Sequence, residues 1–502
     1  MANNYSYPRV EMNTTTNKHS SVQPSAEDTT TLLAFCIAEK GPCSIKENSA
    51  IGLTAVHSLA EFNSIFGTLS YEDNGQTALN IYNWLSNGGT AYVKRFASKG
   101  HLKQVSFKDK DTSSELFKAK FPGKFYEDLR VSVEAIYTGD PTTVRYTLAV
   151  IKDGAVLERF YRLTFKKLED ALADSELLIL GESFADLPKK FPVSSEKPNW
   201  QEDLIPEPPS EPSEEDTDGT LYLESCIQTY MAGNDVKADL ENKLLAPVEL
   251  VMGAGYSKDT DEALLKLLKI RDDIIVILDN HQLFGKLKTP TQKDYDGNQP
   301  LNSEHLAIFD QYFTQYDNVF TGRNIYVTQT YYLSALMPYN DNIYGIQHPV
   351  AGLRRGVLSS PTTISENLTP AKKDELFKQR INYVEKTTRE YAIMSQRTHD
   401  GSTEDSYTAL SFLNNVRTLE RMKKEIERIA RGYLYEFNDS TTLSQLSSVL
   451  NRYVTEWISN RTLAKGNVTV AKNAYSDEAI DVGLNIKFNG TVEVIHVDIV
   501  VD

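Results

Sequence analysis

Two stretches of this chain are apolar almost without interruption: Thr31-Leu-Leu-Ala-Phe-Cys-Ile-Ala38, closed by Gly41-Pro42, and Asp273-Ile-Ile-Val-Ile-Leu-Asp279. A strand that does not alternate has to be covered on both faces, which a parallel sheet with helices above and below achieves. The segments around these runs carry the helices such a sheet needs. Ser58 stands as N-cap ahead of Leu59 to Phe66, with Glu61 three residues on and Gly67 as the stop. Gln76 to Ser86 sets Leu79, Tyr82 and Leu85 on one helix face, and after Gly88-Gly89 the run Thr90-Ala-Tyr-Val-Lys-Arg-Phe96 is a further strand. Leu250-Val-Met252 and a helix over Asp259 to Lys269 repeat the pattern later in the chain. The fold class expected is α/β and multidomain.

Between these two α/β stretches the texture changes to alternating strands. Leu129, Val131, Val133 and Ala135 alternate, and Tyr146 to Ile151 meets Ala155 to Tyr161 across Lys152-Asp153-Gly154, a plausible hairpin turn. Pro206 to Asp218 is acidic, proline-rich and aperiodic. From Thr369 onward helices dominate, with one stripe of Phe412, Val416, Leu419, Met422, Ile426 and Ile429 and another of Leu443, Leu446, Val449, Leu450, Tyr453 and Trp457. With 502 residues the chain exceeds what one core organises. The expected organisation is an N-terminal strand arm and tether over 1–30, an α/β domain in two parts over 31–97 and 220–360, an inserted β-sandwich-like domain over 98–185, an acidic linker over 186–219, and a C-terminal α+β domain over 361–502.

Both ends of the chain read as strands. Tyr5 to Met12 precedes a polar tether running to Thr31. At the other end Val482, Leu484, Ile486 and Phe488 alternate with polar residues and glycine, and Asn489-Gly490 then turns the chain into Thr491 to Val500. In that last strand Ile495, Val497, Ile499 and Val501 share one face, expected to pack on the helices bearing Met422 and Leu450. A hairpin has two open edges, and a tethered strand can fill the edge of another molecule.

Little in the sequence points to catalysis. Net charge is -16 with no basic block, so the electrostatic footprint of a nucleic-acid binder is missing and no direct nucleic-acid contact is expected. No run approaches the ~20 consecutive apolar residues of a membrane helix, and Met-Ala-Asn-Asn-Tyr5 lacks the features of a signal peptide. Cys36, Cys43 and Cys226 read as reduced, packed thiols. Met252-Gly-Ala-Gly-Tyr256 lies where a phosphate loop would sit but lacks a third glycine, so an ordinary strand-to-helix turn is favoured. Asp279 with His281 could be an acid/base or metal pair, although Asp at a strand end suits a turn equally well. Arg354-Arg355 and Lys372-Lys373 read as interface or solvated charges, and His399 lacks an evident catalytic partner. No catalytic residue, cofactor or metal is expected.

A set of ordered fragments carries a resemblance: Tyr7-Pro-Arg-Val-Glu11, Ser58 to Gly67, Asn87-Gly-Gly-Thr-Ala-Tyr-Val-Lys-Arg95, Phe121-Pro-Gly with Asp128 to Val133, Leu245-Ala-Pro247, and Arg271 to Asp279. Pro349 to Leu353, Arg355 to Pro361, Gln379 to Asn382, Ile393 to Thr398 and Glu493-Val-Ile-His-Val497 complete it. Together they span nearly the whole chain, which resembles the contractile tail sheath proteins of myophages, with related sheaths in pyocins, extracellular injection systems and type VI secretion. The chain departs from the family at Pro8-Arg9, where Pro-Gly is usual, and at Arg461-Thr-Leu463, where Gly-Ala-Leu is usual. The resemblance implies a subtilisin-like α/β domain that is not a protease. It also implies a homo-oligomeric helical tube of stacked rings around an inner tail tube, with baseplate and tail terminator proteins as further partners. It places the protein in the virion tail, and in the host cytoplasm during assembly. Strands exchanged between subunits would be carried by Tyr7, Arg9, Val10, Glu11 and Met12 at one end and Ile495, Val497, Ile499 and Val501 at the other. A sheath of a pyocin-like or secretion machine, and an α/β enzyme, are the alternatives.

Overall fold

The apolar runs form the middle of a seven-stranded sheet in a computed structural model of the chain. The structure describes residues 30–43, 52–110, 113–139, 144–207, 219–280, 303–359, 361–400, 408–491 and 493. The strand expected over Tyr5 to Met12, the acidic stretch beyond Glu207, His281, and Ile495, Val497, Ile499 and Val501 all lie outside the described residues. Packing divides the chain into two compact units, Met1–Ala34 with Leu79–Tyr92 and Lys243–Asp502, and Phe35–Ala78 with Val93–Asn242.

The sheet runs in the order Ile381–Asn382, Leu306–Phe309, Ile275–Asp279, Leu250–Met252, Thr31–Ile37, Thr90–Phe96 and Thr54–Val56. Its first five strands pair parallel, and every residue of Ile275–Asp279 is buried, which is why that sequence shows no alternation. The strand Ile381–Asn382 corrects an expected boundary: the α/β domain continues past residue 360, because this strand pairs with Leu306–Phe309. Two residues are too few to show a period, so the sequence hid it. Asn382 closes this edge. Its amide nitrogen donates to the Ile308 carbonyl at 3.0 Å and the Arg397 carbonyl at 2.9 Å, and its oxygen accepts from Ser395 Oγ at 2.9 Å.

In the second unit lies a second, antiparallel seven-stranded sheet, ordered Ala155–Leu163, Arg145–Lys152, Arg130–Ile136, Asn199–Glu207, Ser106–Lys108, Glu115–Ala119 and Leu178–Leu180. The turn at Asp153 and Gly154 has φ of 49° and 81°, the pair of positive angles that a two-residue hairpin with the twist of its strands requires. Asn199–Glu207 falls inside the stretch expected to be linker, a second correction. Asn199 to Leu204 pair with Arg130–Ile136, and Ile205 to Glu207 pair with Ser106–Lys108. One strand therefore joins two halves that share a core of Phe107, Phe117, Val131, Val133, Leu148 and Leu204. The architecture is one continuous sheet around one core. The acidic residues and Pro206 disguised the strand, since proline is tolerated near a strand end.

The C-terminal part contains the helices Leu413–Arg431 and Ser440–Ser459, followed by strands Leu463–Lys472 and Ile480–Phe488. These two strands pair as an antiparallel hairpin, with the register Lys472↔Ile480 at its tip and Leu463↔Phe488 at its base. The expected pairing of Ile480–Phe488 with Thr491 to Val500 across Asn489-Gly490 falls on a stretch that lies almost wholly outside the described residues. A bulge between Leu463 and Lys465 shifts the side-chain phase. Leu463 and Val468, an odd number apart, are consequently both buried, and a strand with a phase break shows no period of two.

Candidate assembly interface

Where chemistry was weighed, the chain supplies its own occupants. Gly255, with φ of 70°, donates its N–H to Asp279 Oδ2 at 3.0 Å, and Thr330 Oγ1 donates to the same oxygen at 3.0 Å. A carboxylate thus takes the position beside the glycine turn that a phosphate would need, and repels any anion there. Asp279 is a turn organiser, and no acid/base pair is formed with described residues. His399 is buried, which lowers its pKa from 6.5 to about 4, with the nearby Arg380 lowering it further and Asp400 opposing. None of the three cysteines forms a disulfide with a described residue, and burial pushes the Cys36 thiol up to about 12 despite the nearby Arg95. Such a thiol is a poor nucleophile. Among the described residues no group of His, Cys, Asp and Glu is placed to hold a metal, and no helix is long and apolar enough to cross a membrane.

The hairpin of Leu463–Lys472 and Ile480–Phe488 is a different kind of site. One face packs on helix Ser440–Ser459 through Leu463, Val468 and Phe488 against Leu446, Leu450, Val454 and Trp457, with Met422 and Ile426 of helix Leu413–Arg431 in the same cluster. Contact is close at Gly466, where a Cβ would lie 2.3 Å from Val454 Cγ1. The sheet has two strands, so among the described residues each strand keeps one edge without a partner strand, a template for further pairing. Thr469, Ala471, Asp481, Val482 and Gly483 are exposed. Lys465 stands directly opposite Lys487 in the ladder, and both are exposed.

At the hairpin tip, Asn438 ties the preceding loop down by donating to the carbonyls of Asp477 at 2.6 Å and Ala479 at 3.2 Å. The loop and the tip together present Tyr435, Phe437 and Tyr475, each more than 80% exposed. The expected strand-exchange residues all lie outside the described residues. Their nearest described neighbours are Thr30 and Glu493. The strand Leu463–Lys472 was missed by the sequence reading; Val468-Thr-Val470 was its only signal.

No family model matches the chain. In overall fold the chain is similar to sheath proteins of known structure. Over 93% of this chain and 94% of the other, it is similar to the crystal structure of the sheath tail protein Lin1278 from Listeria innocua, with 11% identity and a TM-score of 0.59. The helical sheath of the anti-feeding prophage in its contracted state matches 99% of this chain and 100% of that one at 11% identity and a TM-score of 0.53. The contracted PVC sheath of an extracellular contractile injection system matches 100% of this chain at 11% identity and a TM-score of 0.51. In sequence the chain is similar to the tail sheath protein of Vibrio phage KVP40, 25% identical over 158 residues. That match spans 32% of this chain and 23% of the relative.

Proposed function

We propose that this protein is the structural subunit of a contractile phage tail sheath, polymerising as a helical tube around an inner tail tube and contracting to drive that tube through a host envelope. The observation that carries this reading is the helix-backed hairpin, each of whose strands keeps one edge without a partner strand among the described residues, within a fold that is similar to sheath subunits along almost its whole length. The hairpin is the receiving platform. A strand from one neighbour, Tyr7 to Met12, and one from another, including Ile495, Val497, Ile499 and Val501, add to its edges and complete a four-stranded sheet. Each added backbone hydrogen bond contributes roughly 0.5–1.5 kcal/mol, and a ladder of them survives rigid-body rotation of the subunits it links. Heterologous contacts of this kind propagate as a helix. Contraction then needs two packings of one subunit, with the assembled tube held in the less stable one until the baseplate releases it.

In this reading the chain is not an enzyme and needs no cofactor. The inner tail tube, the baseplate and a tail terminator are its partners, and it resides in the virion tail after assembly in the host cytoplasm. A sheath of an extracellular injection machine is the second reading, supported by the likeness to the anti-feeding prophage and PVC sheaths. Electron microscopy of the purified protein tests the class: long striated tubes are expected, whereas discrete monomers or small rings would leave the enzyme alternative. Deleting Met1 to His19 should give folded, soluble protein that no longer polymerises.

A further inference from the structure

Two exposed surfaces of the first compact unit carry opposite charge around unburied rings. The first is the hairpin tip. Tyr435, Phe437 and Tyr475 stand clear of the core there, and Glu436, Asp477 and Glu478, their near neighbours in the chain, are exposed with them. The backbone holds the rings outward. Tyr435 sits at φ of 69°, a left-handed angle that costs a bulky residue energy and persists only where the surroundings impose it, and the Tyr475 N–H donates to Asn473 Oδ1 at 2.8 Å. The second surface is the end of helix Gln329–Tyr344 with the turn that follows. Tyr339 and Ile343, four residues apart and so on one helix face, are exposed together with Tyr344 and Leu353. Its charges are arginines. Arg354 is exposed, and the Arg355 guanidinium lies 5.9 Å from the centroid of the Tyr344 ring. His348, whose ring is 6.1 Å from that of Tyr344, has its pKa lowered by burial and by Arg355 and Arg461. Between Tyr339 and Arg355 the one carboxylate is Asp341, and Arg417 neutralises it.

The two surfaces lie at opposite ends of one layer. Asp341, in the last turn of helix Gln329–Tyr344, pairs with Arg417 in the second turn of helix Leu413–Arg431, whereas Tyr435 follows the far end of that helix. The run from Arg417 to Arg431 spans about 21 Å at 1.5 Å per residue. The hairpin gives the same sense of separation, since Arg461 precedes its base and Tyr475 lies in its tip, and a strand the length of Leu463–Lys472 spans about 30 Å. One folded chain therefore cannot join its own two surfaces. We infer that the acidic, ring-bearing hairpin tip of one copy docks on the arginine-flanked surface around Tyr339, Ile343 and Leu353 of a second copy. Opposite charge steers the pair and sets its register, while two acidic tips repel each other. Tyrosine and arginine are the residue types that dominate contact energies. A contact that joins one end of a subunit to the other end of the next propagates rather than closes. It uses no residue of either arm, and it rests on the proposed function only in supposing that copies assemble.

The test is charge reversal in the full chain. One variant carries Glu436→Arg with Glu478→Arg at the tip, and the other carries Arg354→Glu with Arg461→Glu on the second surface. Each alone sets like charge against like and should raise the critical concentration for tube formation about tenfold or more. Melting of the unassembled subunits should stay as in the parent, because all four side chains are exposed. An equal mixture of the two variants again offers opposite charges, the tip of each to the surface of the other, and should return the critical concentration to that of the parent. Variants that assemble like the parent would overturn the contact. So would a mixture no better than its components, the result expected if either surface serves a different partner. A second measurement needs neither tubes nor reversed charges: a chain carrying both Phe437→Cys and Leu353→Cys, treated with a bismaleimide, should give a ladder of multimers that neither single variant gives. Absence of that ladder overturns the contact. If the parent forms no tubes the sheath reading fails, and the ladder still decides whether tip and surface meet.

Discussion

Arg95 is 2% exposed in the second unit, where its guanidinium donates to the carbonyls of Ala38 at 2.9 and 2.7 Å, Gly41 at 2.9 Å and Pro122 at 2.9 Å. The chain closes tightly around it, since a Cβ on Gly123 would lie 2.6 Å from Arg95 Nη2. Arg95→Met should cost about 3 kcal/mol or more, because three carbonyls lose their donor at once, and denaturant unfolding measures the loss. His399 makes a prediction with a sign. Its pKa is lowered from 6.5 to about 4 by burial, so between these values the unfolded chain binds more protons than the folded one, and stability falls as pH drops through the window by about 3 kcal/mol. His399→Gln should flatten the stability profile between pH 4 and 6.5. An unchanged slope would assign it to other groups. The buried arginines of helix Leu413–Arg431 were not legible in the sequence. Arg417 and Arg421 look like the polar side of an amphipathic stripe, but that side is itself buried against Asp341 and Glu249. Their partners are 76 and 172 residues away, beyond the reach of any local pattern.

Elements with strong local signals appeared where the sequence put them. Ser58 accepts from the Glu61 N–H at 3.1 Å and Gly67 ends the helix at φ of 84°; Gln76–Ser86 and Thr90–Phe96 match their expected bounds. The failures share one cause, which is a strand whose period is broken or too short. Asn199–Glu207 is acidic with a proline, Ile381–Asn382 has two residues, and Leu463–Lys472 carries a bulge. The hairpin therefore invites a test of phase. Val468→Asp puts a charge on the face packed against Leu450 and should cost several kcal/mol, whereas Thr469→Asp, exposed on the same strand, should change stability by less than about 0.5 kcal/mol. Gly466→Ala should displace helix Ser440–Ser459 from the hairpin and lower the melting temperature, because its new methyl would meet Val454. Equal effects of Val468→Asp and Thr469→Asp would show that the bulge does not set the packed face.

At the scale of the whole molecule, the antiparallel sheet has the attributes of an autonomous domain. Every buried residue of its core lies between Val105 and Leu204, so a fragment from Ala97 to Glu207 should fold alone and give a dispersed amide spectrum. A fragment ending at Glu182 should not, since it lacks the strand that joins the two halves. The facing pair Lys465 and Lys487 has a further consequence, for ionic strength. Like charges directly opposite in a ladder repel, and Lys465 and Lys487 stand opposite each other and exposed. Salt screens that repulsion, so the unassembled hairpin gains from added salt. An incoming strand with an acidic side chain at this level would neutralise the pair, and the same salt would weaken that attraction. In the proposed assembly the lysines would discourage two identical hairpins from pairing edge to edge and would favour an acidic guest. The free subunit and the tube should therefore respond to rising salt in opposite directions.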